Sequence, residues 1–173
     1  MFFLKNKMST IACVSMFGDP LHIGHLELLN RAKQMADVLY VIVNNDTQAC
    51  LKKGASFMKD TERLEIIRAL GYVDCAILAV DMDETVAKTI ELIRPTYFCN
   101  GGDVTNFLLP MAEIQACENC GTRLVDGLGS KIQSSRNLTG LTPIKSPKTM
   151  KKNTLTVEEH VLGLAPRRRL KSN

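Results

Sequence analysis

His22 and His25 stand three positions apart with Gly24 between them, directly behind Gly18-Asp19-Pro20-Leu21. The apolar run Thr10–Ser15 ahead of this segment reads as a strand, and an amphipathic helix pattern opens at Ile23. A helix start offers unpaired backbone N–H groups and the positive end of the helix dipole, a ready site for phosphate. Gly24 puts no side chain where a phosphate would approach the backbone. His22 and His25 are then placed to donate hydrogen bonds to charge developing on a phosphoryl group. The chemistry predicted is attack at the α-phosphate of a nucleotide. Two histidines at a helix start can also do no more than cap it or pack on a neighbour, so the motif needs its strand and helix to carry weight. Two of the chain's three histidines fall in it.

The elements that must hold this segment alternate. After the strand at Thr10–Ser15 the pattern predicts a helix over Ile23–Met35, with Leu26, Leu28, Leu29, Ala32 and Met35 at helical spacing. Asp37–Val43 reads as a strand apolar on both faces. A polar loop carrying Lys52-Lys53-Gly54 leads to a helix over Asp60–Leu70, with Asp60 as its N-cap. A strand at Cys75–Val80, a helix at Glu84–Ile93 stopped by Pro95, and a strand at Thr96–Cys99 follow. A helix at Leu109–Cys117, a strand at Thr122–Val125 and the start of a last helix at Ser134–Leu138 complete the pattern. Such alternation predicts an α/β, Rossmann-like, doubly wound parallel sheet of five strands with helices on both faces. Ligands bind such sheets at the carboxyl ends of the strands, where the unusual segments of this chain all lie.

The 173 residues suffice for one globular domain with an extension, divided here as 1–138 and 139–173. From Gly140 onward there are eight Lys/Arg against two Glu, and before it fourteen basic against sixteen acidic residues, so the charge lies in the tail. The tail's composition predicts a flexible extension. Its run Arg167-Arg168-Arg169-Leu170-Lys171 could dock on a polyanion or a partner protein. No aromatic RNA-binding motif accompanies it, and aromatics make up only 5% of the chain. No apolar run approaches the roughly 18 residues of a membrane span. Met1-Phe2-Phe3-Leu4 is broken at once by Lys5, Asn6 and Lys7, unlike a signal peptide. A cytoplasmic location is expected. Of the six cysteines, Cys13, Cys75 and Cys99 fall in predicted buried strands and should behave as small hydrophobes. Cys117-Glu118-Asn119-Cys120 is a single CxxC without a second ligand pair, so no protein-held metal is expected.

Four segments share the carboxyl ends of the predicted strands: the His22–His25 segment, Lys52-Lys53-Gly54, Asn100-Gly101-Gly102-Asp103, and Gly129-Ser130-Lys131-Ile132-Gln133-Ser134-Ser135-Arg136. With Glu62-Arg63-Leu64-Glu65-Ile66-Ile67 between them, this set resembles the cytidylyltransferase-like nucleotidylyltransferases. That superfamily includes glycerol-3-phosphate and phosphocholine cytidylyltransferases and heptose-1-phosphate adenylyltransferases. The resemblance covers about Met8–Leu138 and implies a nucleotidyl transfer: a phosphorylated sugar or alcohol attacks the α-phosphate of CTP or ATP, with Mg²⁺ carried by the triphosphate, and pyrophosphate leaves. It implies that His22 and His25 contact the α- and β-phosphates and that Lys53, or else Lys52, reaches a phosphate. Gly18, Asp19 and Gly24 would complete the first nucleotide-binding segment. Arg63 would either clamp a phosphate or form a surface ion pair. Behind Gly101 and Gly102, Asp103 would accept hydrogen bonds from ribose or base. Ser134 and Ser135 would contact phosphate from a helix start, and Arg136 could add a contact.

The chain departs from the family's pattern at three places. Gly18 stands where phenylalanine usually precedes the aspartate, with Phe17 one position earlier. Val104 replaces a frequent arginine, and Arg136 replaces the third serine of the usual run. These changes touch base and acceptor recognition and leave the histidine pair intact. A homodimer is the default the resemblance supplies. The alternative reading, from a different class, is a catalytically weak nucleotide-binding scaffold that docks through its basic tail.

Overall fold

The computed structural model describes residues 9–102 and 108–129, together with Ser135 and Leu138. In chain order the elements are β1 (Ile11–Met16), α1 (Ile23–Lys33), β2 (Val38–Val43), α2 (Asp46–Lys53), α3 (Asp60–Arg68), β3 (Cys75–Leu78), α4 (Ala87–Ile93), β4 (Tyr97–Gly101), α5 (Met111–Cys120) and β5 (Arg123–Leu128). The five strands form one sheet in the order β3-β2-β1-β4-β5, and every pairing is parallel. The doubly wound α/β fold is thus the one the alternation predicts.

The period of two along β1 explains why helices cover both faces. Ala12, Val14 and Met16 point into a core shared with Leu39, Val41 and Val43 of β2, Leu29 and Ala32 of α1, and Leu64 and Ile67 of α3. Cys13 points the other way, against Ile42, Phe98, Ile90 of α4, and Ala116 and Cys117 of α5. Both sets are buried, so the central strands β1 and β2 are apolar on both sides.

Several boundaries move. The expected polar loop around Lys52 and Lys53 is largely helix, α2. Asn45 caps it by accepting the Gln48 N–H at 3.0 Å, while Gln48 Oε1 accepts the Asn45 N–H at 3.1 Å. This reciprocal box offsets a composition too polar to show a helical face. Gly54, at φ 81°, ends the helix in the left-handed conformation and donates to Cys50 O at 2.9 Å. Asp60 is not the N-cap of α3, a position held by Lys59. Its Oδ2 instead accepts the Asp46 N–H at 3.0 Å, and Asp46 Oδ1 accepts the Asp60 N–H at 3.0 Å, so the starts of α2 and α3 are clasped. β5 runs on past Val125, its pairing with β4 resuming at Gly101 and Leu128 after an irregularity between Cys99 and Gly101. Of the last predicted helix only Ser135 and Leu138 lie among the described residues, and both have helical backbone.

Candidate active site

β1 is central, with β2 on one side and β4 on the other, so the sheet reverses direction of winding at the carboxyl end of β1. A doubly wound sheet keeps its ligand crevice at such a switch point. The chain leaves Met16 through Phe17–Leu21 and enters α1 with His22 as N-cap, its backbone extended at φ −148° and ψ 171°. His25, in the first turn, turns its Nδ1 back to accept the His22 N–H at 3.2 Å. The two rings stack with centroids 3.8 Å apart and 28° between planes. Because Nδ1 accepts, a neutral His25 carries its proton on Nε2 and presents that nitrogen as a donor. Burial foremost, then the neighbouring His22 and Lys53, pushes the His25 pKa down to about 4. Burial also lowers that of His22. Near neutral pH the pair is therefore uncharged.

Gly24 serves this stack directly. A Cβ at position 24 would stand 3.1 Å from His22 Cε1 and 3.2 Å from its Nδ1. The missing side chain thus makes room for the imidazole, where sequence reasoning reserved the space for phosphate. His22 Nδ1 is buried and has no hydrogen-bond partner among the described residues, which leaves the ring's hydrogen bonding there to its other nitrogen.

The lysines close the site from α2. Lys53 Nζ lies 4.5 Å and Lys52 Nζ 5.4 Å from the centroid of the Phe17 ring, so one aromatic face seats both cations. Phe17 is a residue the sequence reading passed over, although its place just ahead of Gly18 and Asp19 made it part of the first loop. Gly18 takes φ 58°, and a Cβ there would stand 3.0 Å from Ile67 Cδ1. Asp19 is only 4% exposed. Its carboxylate accepts the N–H groups of Phe57 at 2.9 Å and Met58 at 2.8 Å, pinning the stretch between α2 and α3.

Arg63 is neither a surface ion-pair residue nor a side chain open to solvent: it is fully buried. It donates to Phe17 O at 2.8 Å, Asn44 O at 2.7 Å, Met58 O at 3.1 Å and Asp46 Oδ1 at 2.8 Å. Gly101 ends β4 facing Leu28 of α1, and Gly102 lies in the exposed turn beyond it. Ser135 Oγ donates to Pro20 O at 2.9 Å, which brings the C-terminal motif onto the loop before His22. Asp103, Ser134 and Arg136 lie outside the described residues. The structure thus gathers His22, His25, Lys53, Gly18, Gly24 and Ser135 around one loop and turns Asp19 and Arg63 inward as its supports.

Among the described residues no three His, Cys, Asp or Glu side chains converge as a metal site. Cys13, Cys75, Cys99, Cys117 and Cys120 are free thiols. Burial above all pushes the Cys117 pKa up to about 12, so this member of the CxxC pair is a core residue. No helix among the described residues is long and apolar enough to cross a membrane.

The cytidylyltransferase-like family matches residues 17–158. The bifunctional protein HldE of Bradyrhizobium sp. is 38% identical over 89 residues, which are 50% of this chain and 18% of that protein. An FAD synthase of Methanosarcina barkeri is 34% identical over 96 residues, 56% of this chain and 66% of the relative. The chain therefore spans less than a fifth of the bifunctional relative and about two thirds of the synthase. Among solved structures, the lipopolysaccharide core biosynthesis protein of Thermoplasma volcanium superposes with a TM-score of 0.60 at 27% identity, over 70% of this chain and 98% of its own.

Proposed function

Because the chain belongs to the cytidylyltransferase-like family, we propose that its crevice transfers CMP or AMP from a nucleoside triphosphate to a phosphorylated sugar or alcohol, such as glycerol 3-phosphate or a sugar 1-phosphate. The observation that carries this reading is the uncharged, stacked histidine pair at the start of α1, with His25 held as an Nε2–H donor. An oxygen of the acceptor's phosphate attacks the α-phosphorus. The bond from that phosphorus to the bridging oxygen breaks, and pyrophosphate leaves. The reaction needs little covalent help and depends on positioning and charge stabilisation. His25 and His22 donate to the α- and β-phosphate oxygens, the α1 N-terminus adds backbone N–H groups, and Lys53 or Lys52 meets the remaining negative charge.

Of the two acidic side chains that flank the histidines in sequence, Asp19 spends its carboxylate on backbone N–H groups and Glu27 pairs with Arg31. Mg²⁺ accordingly enters with the triphosphate as part of the substrate. Gly101, Gly102 and Asp103 are assigned to ribose or base, and Ser134, Ser135 and Arg136 to phosphate. On this reading residues 1–138 form the domain, 139–173 are a basic extension for a polyanion or protein partner, and the assembly is a homodimer.

Pyrophosphate release with Mg²⁺ tests the proposal, comparing CTP with ATP across a panel of phosphorylated sugars and alcohols. The FAD synthase relative, named for an adenine-bearing product, keeps the ATP arm beside CTP. Acceptor-dependent release that disappears in His22→Ala/His25→Ala supports transfer. Nucleotide binding without turnover across the panel supports the scaffold reading instead.

A further inference from the structure

Arg63 heads the fully buried side chains by size, and it carries a charge. A guanidinium sealed from water is tolerated only where its donors are satisfied, and it then fixes one arrangement of the segments it joins. Each of its four acceptors leads to the site. The Phe17 carbonyl belongs to the residue whose ring seats Lys52 and Lys53. Asp46 opens the helix that ends in those lysines, and Asn44 closes the strand before it. Met58 gives its carbonyl to Arg63 and its N–H to Asp19, three residues ahead of His22. No other side chain in the described residues bonds to the loop before α1, the start of α2 and the stretch before α3 together. A planar fork reaches acceptors on several sides at once, which an ammonium cannot reproduce.

We infer that Arg63 is a positioning residue for the transfer centre: it fixes the lysine-bearing end of α2 against the histidine pair while touching no substrate itself. The inference rests on the proposed nucleotidyl transfer, but its test needs no turnover. The charged or titratable neighbours that act on His25 are His22 and Lys53, so the His25 titration reports where Lys53 stands. In the full chain, Arg63→Lys should keep its circular dichroism while the His25 imidazole resonance titrates roughly half a pH unit higher, as one like charge withdraws. Tripolyphosphate, used as the probe in calorimetry, should bind about tenfold more weakly to Arg63→Lys and to Lys53→Ala. In the double variant the two losses should not add, because both act through Lys53.

An unmoved His25 titration, or losses that simply add, overturns the inference. If Arg63→Lys does not fold, Asp46→Ala carries the same test, since it removes the acceptor through which the guanidinium holds the start of α2. Failure of the unsubstituted chain to bind tripolyphosphate strikes the transfer reading, and the His25 titration then decides the role of Arg63 alone.

Discussion

The Cε1–Nδ1 edge of His22 rests on Gly24, where a Cβ would stand 3.1 Å and 3.2 Å from those two atoms. An alanine at 24 must push the imidazole by a few tenths of an ångström, and the ring is half of the donor pair. Helix propensity favours alanine over glycine by up to about 1 kcal/mol. Gly24→Ala should therefore leave thermal stability unchanged or raised while kcat falls about tenfold, since small misplacements of a reacting group are costly. Melting curves and pyrophosphate release on the same sample check both signs, and a drop in both would make Gly24 a folding residue only.

The state of His25 sets a pH dependence. Its folded pKa, about 4, lies below the ordinary 6.5, so the unfolded chain takes up the proton first as pH falls. The contribution to stability is whole above about pH 6.5 and is lost between there and about pH 4, up to about 3 kcal/mol. If the Nε2–H donor is the working form, kcat should stay level from pH 8 to about pH 5 and fall near pH 4. A rate that climbs below pH 5 would assign the work to an imidazolium instead. His25→Gln, which keeps an amide donor, should lose the stability slope.

The sheet was legible from the sequence because its signal is repeated: the central strands are apolar on both faces, and Ala12, Cys13 and Val14 declare the two cores side by side. The histidine pair was legible because spacing alone puts it in one helical turn. α2 was not, since its helix rests on a capping exchange between Asn45 and Gln48 and has little apolar face, although the Asn45-x-x-Gln48 and Gly54 signals were there to read. The burial of Arg63 was not legible for a different reason. Glu62 and Glu65 nearby are charged and exposed, and only the fold brings Phe17, Asn44, Asp46 and Met58 around it.

The cysteines should divide by burial. Cys13, Cys99 and Cys117 are buried, and burial raises all three pKa values, to about 11 for Cys99 and about 12 for Cys117. Cys50, Cys120 and also Cys75, which the sequence places in a buried strand, are partly exposed. Iodoacetamide at pH 8, followed by peptide mass spectrometry, should modify Cys50 and Cys120 well before the buried three. Cys117→Ala should then leave activity intact while costing about 1 kcal/mol of packing. Early labelling of Cys117 would mean that the α5 face opens in solution.

Gly18 accounts for the family departure that precedes Asp19. With φ at 58° it sits where L side chains are strained, and a Cβ would meet Ile67 Cδ1 at 3.0 Å. Restoring the family residue by Gly18→Phe should therefore destabilise the chain by about 2 kcal/mol or more, from backbone strain together with overpacking against α3. Gly18→Ala should cost less, about 1–2 kcal/mol, from the backbone and the first carbon alone. Urea unfolding of the two variants orders these costs. A stable Gly18→Phe would show that the loop can take the family's path, with Phe17 giving up its place beneath Lys53. The double variant Phe17→Gly/Gly18→Phe separates the two: it exchanges both residues at once, and recovery of stability there, absent in the single variant, would locate the cost in the crowding of Phe17 and not in the φ of residue 18.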